Sequence, residues 1–81
     1  MTEEQIFFKI REVLVEYLGL EESAIKRDSS LRDDLGASSI ELAELAIELE
    51  KEMDATIEFE ELGDTATVDD LVRLILPKVD S

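Results

Sequence analysis

The sequence predicts an all-α domain with three longer helices, one short helix and a long loop between the first two. Three observations support this prediction. Apolar residues recur at helical spacing in three stretches of the chain, and a serine or threonine that can cap a helix precedes each stretch. No segment shows the apolar–polar alternation of a strand. The length of 81 residues suits one domain, residues 1–81, with a single small core.

The first helix begins after Thr2, which forms a capping box pattern with Gln5. Gly19 ends the helix, since a glycine just past the last turn readily takes the left-handed conformation. The apolar stripe between them predicts a face that packs into the core. It consists of Ile6, Ile10, Val13, Leu14 and Tyr17, with Phe7 and Leu18 at its edges.

A long connection follows over residues 20–37, where the helical periodicity fades. Apolar residues are spaced along it at Leu20, Ile25, Leu31 and Leu35. Loops of this length in a compact domain are usually functional or disordered, and the spaced apolar residues favour an ordered loop. We expect one helical turn near residues 21–25. Five of the eight basic residues lie in the first helix and this loop: Lys9, Arg11, Lys26, Arg27 and Arg32.

The second helix has Ser38 as its N-cap, and Glu41 completes a second capping box. We expect the helix to end near Met53 or Asp54. Its core stripe consists of Leu42, Leu45, Ala46, Leu49 and Met53.

A second apolar face on this helix lies roughly 140° away from the core stripe. It consists of Ile40, Ala43 and Ile47, and it is flanked by Glu41, Glu44 and Glu48. A helix with two apolar faces is either buried on both sides or offers one face to a partner. Ile40 or Ile47 could therefore pack under the long loop, and the acidic flank could be simply a solvated face.

The remainder of the chain predicts one short helix and one final helix. Residues 59–62 form a short amphipathic piece that Gly63 ends. Thr67 caps the last helix, and Asp69 and Asp70 in its first turn complement the helix dipole. Pro77 marks its end. The inward-facing residues are Val68, Leu71, Val72 and Ile75.

The composition excludes several classes of function. With 22 acidic and 8 basic residues the net charge is −14, which argues against nucleic-acid binding and favours partners with basic patches, unless it serves solubility alone. The absence of cysteine and histidine removes thiolate nucleophiles, imidazole bases and nearly all zinc sites. An enzyme would have to work with carboxylates only, and a small helical chain has little room for the deep cleft that carboxylate chemistry on a sugar requires. We expect no catalytic residue and no metal. The acidic amino terminus and the lack of a long apolar stretch predict a cytoplasmic protein without a membrane span. We also expect a monomer.

Two adjacent serines stand where the glycine-containing loop enters the second helix. If Ser38 accepts a hydrogen bond from the backbone N–H of Ile40 or Glu41, the hydroxyl of Ser39 is left pointing to solvent. Unpaired N–H groups make a helix start electropositive, which suits a bound or attached phosphate. Ser39 is then either a modified residue or a helix-start serine without a role.

A set of motifs across nearly the whole chain resembles the acyl carrier proteins. These are Tyr17-Leu18-Gly19-Leu20, Leu31 with Asp34-Leu35-Gly36-Ala37, Ser39-Ile40, Glu44-Leu45, Leu49, Glu50, Met53 and Ile57. The resemblance implies a four-helix bundle whose Ser39 receives a 4′-phosphopantetheine arm from coenzyme A. Such a protein is a carrier, not an enzyme. The thiol at the end of the arm holds acyl or aminoacyl groups as thioesters for fatty-acid, lipid or secondary-metabolite synthesis.

The resemblance also implies a docking surface and a shelter for the acyl chain. Docking to a phosphopantetheinyl transferase and to acyl-transferring or synthase enzymes with basic patches falls on Ile40, Glu41, Ala43, Glu44, Ile47, Glu48 and Glu50. Candidates for the acyl pocket are Leu49, Ile57, Leu62 and Leu71. The alternative is an acidic interaction or regulatory module that keeps the fold and lacks the arm.

Two positions depart from the family pattern. The family usually has aspartate immediately before the modified serine, whereas this chain has Ser38. The change is nearly neutral for the N-cap but removes a negative charge beside the attachment point, which favours a specialised carrier over a housekeeping one. The second departure is polar Thr65, in a region where the family often has an apolar pocket residue.

Overall fold

The computed structural model describes residues 1–63 and 65–79, and in them the chain folds into four α-helices. The helices are α1 (Glu3–Leu18), α2 (Ser39–Met53), α3 (Phe59–Gly63) and α4 (Val68–Val79). A single 3-10 turn, Glu22–Ala24, lies in the long connection. This part of the chain contains no strand, so the predicted all-α bundle is confirmed. None of these helices combines the length and the apolar character that crossing a bilayer requires.

The first helix has the boundaries that its capping residues dictate. The hydroxyl of Thr2 accepts a hydrogen bond from the N–H of Gln5 at 3.2 Å, and the N–H of Thr2 donates to the Gln5 side chain at 2.9 Å. At the other end Gly19 takes a left-handed conformation with φ of 66°. Capping groups of this kind stabilise a helix by about 1 kcal/mol each.

A single hydrophobic core holds the bundle together. α1 packs against both α2 and α4, and α3 packs against α2. The predicted core residues of α2 and α4 are all buried, and so are the loop residues Ile25, Leu31 and Leu35. The long connection is therefore an ordered part of the fold, because its apolar side chains lie under the helices.

The connection is also hydrogen-bonded to the start of α4. The N–H of Leu31 donates to the carbonyl of Ala66 at 2.9 Å, and the N–H of Val68 donates to the carbonyl of Ser29 at 3.0 Å. The Arg27 guanidinium adds a charged link. It donates to Glu3 of α1 at 2.8 Å and also to Asp69 of α4. These bonds to Glu3 and Asp69 raise the pKa of Arg27, which keeps the link charged.

Tyr17 does not lie in the core, contrary to its place in the predicted stripe of the first helix. Its side chain is 45% exposed, and its hydroxyl donates to the carboxylate of Glu48 at 3.1 Å. The other four stripe residues are buried. Tyr17 lies in the last turn of α1, where a hydroxyl at the edge of the bundle can reach a carboxylate on α2.

The last helix continues past Pro77, so the prediction that this residue ends it is wrong. Proline has no backbone N–H, so the helix lacks one hydrogen bond at this position. Other contacts hold its final turn in place. The Lys78 ammonium lies 3.1 Å from the carboxylate of Glu61 on α3. Val79 packs against the core, and its carbonyl accepts a hydrogen bond from the amino terminus of Met1 at 3.3 Å.

Candidate functional site

The site begins in the loop that turns the chain into α2. Gly36 has φ of +69°, a left-handed conformation that side chains rarely adopt. The N–H of Ala37 donates to the carbonyl of Leu31 at 2.9 Å, and the carboxylate of Asp34 accepts the N–H of Ser30 at 2.7 Å. These bonds fix the loop, and with it the direction in which the helix starts.

The two serines at the start of α2 have different environments. The hydroxyl of Ser38 accepts the N–H of Glu41 at 3.2 Å, and the Glu41 carboxylate accepts the N–H of Ser38 at 3.0 Å. Ser38 is therefore the N-cap, and its hydroxyl is engaged in the capping box. Ser39, at the first helical position, is exposed to solvent.

Arg32 lies beside the exposed serine, and sequence reasoning gave it no role. Its guanidinium donates to the hydroxyl of Ser39 at 3.2 Å. Within residues 1–63 and 65–79, no carboxylate forms an ion pair with Arg32. The one signal in the sequence was a basic residue seven positions before the serine in an acidic chain. Its approach to Ser39 depends on how the intervening loop folds.

Ser39 lies at a small crevice between α2 and α3. The crevice has a volume of about 30 Å³ and is lined by Arg32, Ser39, Leu42, Leu62 and Gly63. Of the four residues expected to shelter an acyl chain, only Leu62 lines this crevice. The other three, Leu49, Ile57 and Leu71, are buried in the core cluster that also includes Leu62.

The second apolar face of α2 is exposed to solvent, which decides between the two interpretations of this face. Ile40 is 73% exposed and Ile47 is 55% exposed, so neither packs under the long loop. Glu44 beside them is also exposed, while Ala43 and Glu50 are half-buried.

Two of the three glutamates that flank this face already have partners within the protein. The Glu41 carboxylate belongs to the capping box, and the Glu48 carboxylate accepts the hydroxyl of Tyr17. The hydrogen bond to Glu48 is the main cause that raises the pKa of Tyr17 above its ordinary value. Glu44 differs from them in being exposed and in lying next to both isoleucines.

The group of donors around Ser39 fits a phosphodiester. An attached phosphate would lie at a helix start, where backbone N–H groups favour negative charge. The Arg32 guanidinium is within hydrogen-bond distance of the oxygen to which the phosphate would be joined.

The polar side chain of Thr65 has a hydrogen-bond partner at the end of α3. Its hydroxyl donates to the carbonyl of Leu62 at 2.7 Å.

Comparison with known proteins identifies the family. Residues 9–75 match the family described as "Phosphopantetheine attachment site". The chain is 43% identical to the acyl carrier protein of Exiguobacterium sibiricum over 79 residues, which cover 98% of this chain and all of the relative. It is 39% identical to the acyl carrier protein of Petrotoga mobilis, over 98% of this chain and 93% of the relative. Matches of this extent show that the chain belongs to the acyl carrier protein family, whose members are carriers with covalent 4′-phosphopantetheine rather than enzymes.

Proposed function

We propose that Ser39 is the residue that carries the 4′-phosphopantetheine. The observation that supports this assignment is the difference between the two serines. The hydroxyl of Ser38 is engaged in the helix cap, whereas Ser39 is exposed with its hydroxyl beside a guanidinium. When attached, the group supplies a thiol on which acyl or aminoacyl groups are held as thioesters. The chain has no cysteine of its own that could compete for them.

Mass spectrometry of the intact protein tests the assignment. The apo protein is incubated with coenzyme A and a phosphopantetheinyl transferase, and we expect the wild type to gain the mass of one phosphopantetheine. Ser39→Ala should abolish the gain, and Ser38→Ala is the matched control that should still be modified. A gain by Ser39→Ala would contradict the site. No gain by the wild type with several transferases would favour the acidic interaction module.

We further propose that partner enzymes dock on the exposed face of α2. Ile40 and Ile47 give an apolar centre next to the modified serine, and Glu44 gives negative charge beside it. Apolar contacts with a charged surround are typical of protein interfaces. The partners that fit are the transferase that attaches the arm and the acyl-transferring or synthase enzymes that use it, each with a basic patch around an apolar one.

The acyl chain needs a place in the bundle, and we propose that it enters through the crevice beside Leu62. The crevice of about 30 Å³ has room for no more than a few water-sized groups, far less than an acyl chain needs. Leu62 must therefore move before Leu49, Ile57 and Leu71 can line an acyl chain. Because α3 is only five residues long, its displacement breaks few backbone hydrogen bonds.

A further inference from the structure

Arg32 is the basic group nearest to the proposed attachment point. Its guanidinium donates to the hydroxyl oxygen of Ser39 at 3.2 Å, and the side chain is exposed. It also lines the crevice between α2 and α3, together with Leu62 and Gly63. The guanidinium therefore lies on the α3 side of the serine.

A phosphodiester on Ser39 would bring its negative charge to this guanidinium. The phosphorus would be bonded to the same oxygen that Arg32 already contacts, so its other oxygens would fall within reach of the arginine's remaining N–H groups. Hydrogen bonds from guanidinium to phosphate are charge-assisted and stronger than the bond to a neutral hydroxyl. The protein as a whole carries a charge of −14, so a further anion at this point is favoured only by local groups, which are this cation and the electropositive start of α2.

We propose that Arg32 binds the phosphodiester of the arm and holds the base of the arm over the crevice beside Leu62 and Gly63. The opposite flank of α2 faces α1, where Tyr17 is bonded to Glu48. A phosphate held by Arg32 starts the arm on the flank that faces α3. Arg32 is thus a positioning residue for the arm, and this inference rests on the assignment of the arm to Ser39.

Nuclear magnetic resonance on the apo and modified wild type tests this inference first. We expect the Arg32 Nε–H resonance to shift when the arm is attached. Nuclear Overhauser contacts should join the arm protons nearest the phosphate to the Leu62 methyl groups. Raising the salt concentration to about 0.5 M should weaken these contacts, because salt screens exposed ion pairs. An Arg32 resonance that is the same in both forms would overturn the proposal.

The variant Arg32→Gln provides the second test, with Lys26→Gln as its control. Lys26 is an exposed cation in the same loop, so both variants change the net charge equally. Arg32→Gln should lose the contacts between arm and Leu62, and Lys26→Gln should keep them. Contacts that persist in modified Arg32→Gln would also overturn the proposal. A mass gain by Ser39→Ala would instead refute the assignment of the arm to Ser39, so the intact mass distinguishes the two failures.

Discussion

Ser38 caps α2 without placing a negative charge beside Ser39. As an N-cap its side chain accepts a hydrogen bond from the N–H of Glu41, as the side chain of an aspartate would. We expect Ser38→Asp to leave the free energy of unfolding nearly unchanged and Ser38→Ala to lower it by about 1 kcal/mol. Denaturant unfolding of the apo proteins measures both values.

The same substitution tests whether the chain is a specialised carrier. Ser38→Asp restores the negative charge that the family usually has before the modified serine. A transferase that serves aspartate-containing carriers should then modify the variant faster than the wild type. Equal rates for the two proteins would show that this charge does not determine the choice of transferase.

The side chains that the sequence predicted best are those whose partners are close along the chain. Ser38 and Glu41 are three residues apart, so the capping box is a local pattern that the sequence displays directly. Arg32 is different, because its contact with Ser39 requires the loop through Gly36 to bring the two together. Helical spacing likewise placed Tyr17 on the core stripe, but spacing cannot tell where along a helix the core ends.

At the scale of elements, α2 has one face buried in the core and another face exposed to solvent. Glu44→Lys changes only the exposed face, so the fold should be retained. We expect transfer by a partner enzyme to fall by roughly tenfold at low salt, and the remaining activity to depend less on salt. The measurement is the transfer rate at several salt concentrations.

The matched control for this change is Glu21→Lys. Glu21 is exposed in the long connection and its side chain caps no helix, so the variant has the same change in charge away from α2. Glu48→Lys would be a poorer test, because it also breaks the hydrogen bond with Tyr17. If Glu44→Lys and Glu21→Lys slowed transfer equally, total charge rather than docking on α2 would be responsible.

The helix boundaries were predictable where a cap residue fixes them and less so elsewhere. Thr2 and Ser38 begin their helices as expected, and Gly19 ends α1. Pro77 misled the prediction because its effect depends on contacts that are distant in sequence. The Lys78–Glu61 ion pair and the amino terminus hold the final turn of α4 in place.

For the whole molecule, stability against acid depends on carboxylates that are hydrogen-bonded at helix starts. The Asp70 carboxylate accepts the N–H groups of Ala66 at 2.9 Å and Thr67 at 3.1 Å. These bonds, that from Ala66 first, lower the pKa of Asp70 below its ordinary value. The hydrogen bond from the N–H of Glu58, followed by the contact with Lys78, lowers the pKa of Glu61 in the same way.

The direction of these shifts predicts the pH dependence of stability. A carboxylate whose pKa is lower in the folded state contributes its stabilisation above the unfolded pKa and loses it as the pH falls through the folded pKa. Asp70→Asn should therefore be less stable than the wild type at neutral pH, and the difference should shrink in acid. Unfolding free energies measured between about pH 7 and pH 2 check this expectation. A constant difference over that range would contradict it.

The contact between Tyr17 and Glu48 gives the protein a built-in optical reporter. The chain has one tyrosine, no tryptophan and three weakly emitting phenylalanines, so Tyr17 dominates its near-ultraviolet fluorescence. That ring is exposed and bonded to the helix proposed to meet partners. A partner that draws Glu48 away releases the phenol from its carboxylate, and the emission of Tyr17 should change. With a partner that contains no tryptophan or tyrosine, a titration can then be followed without any added label.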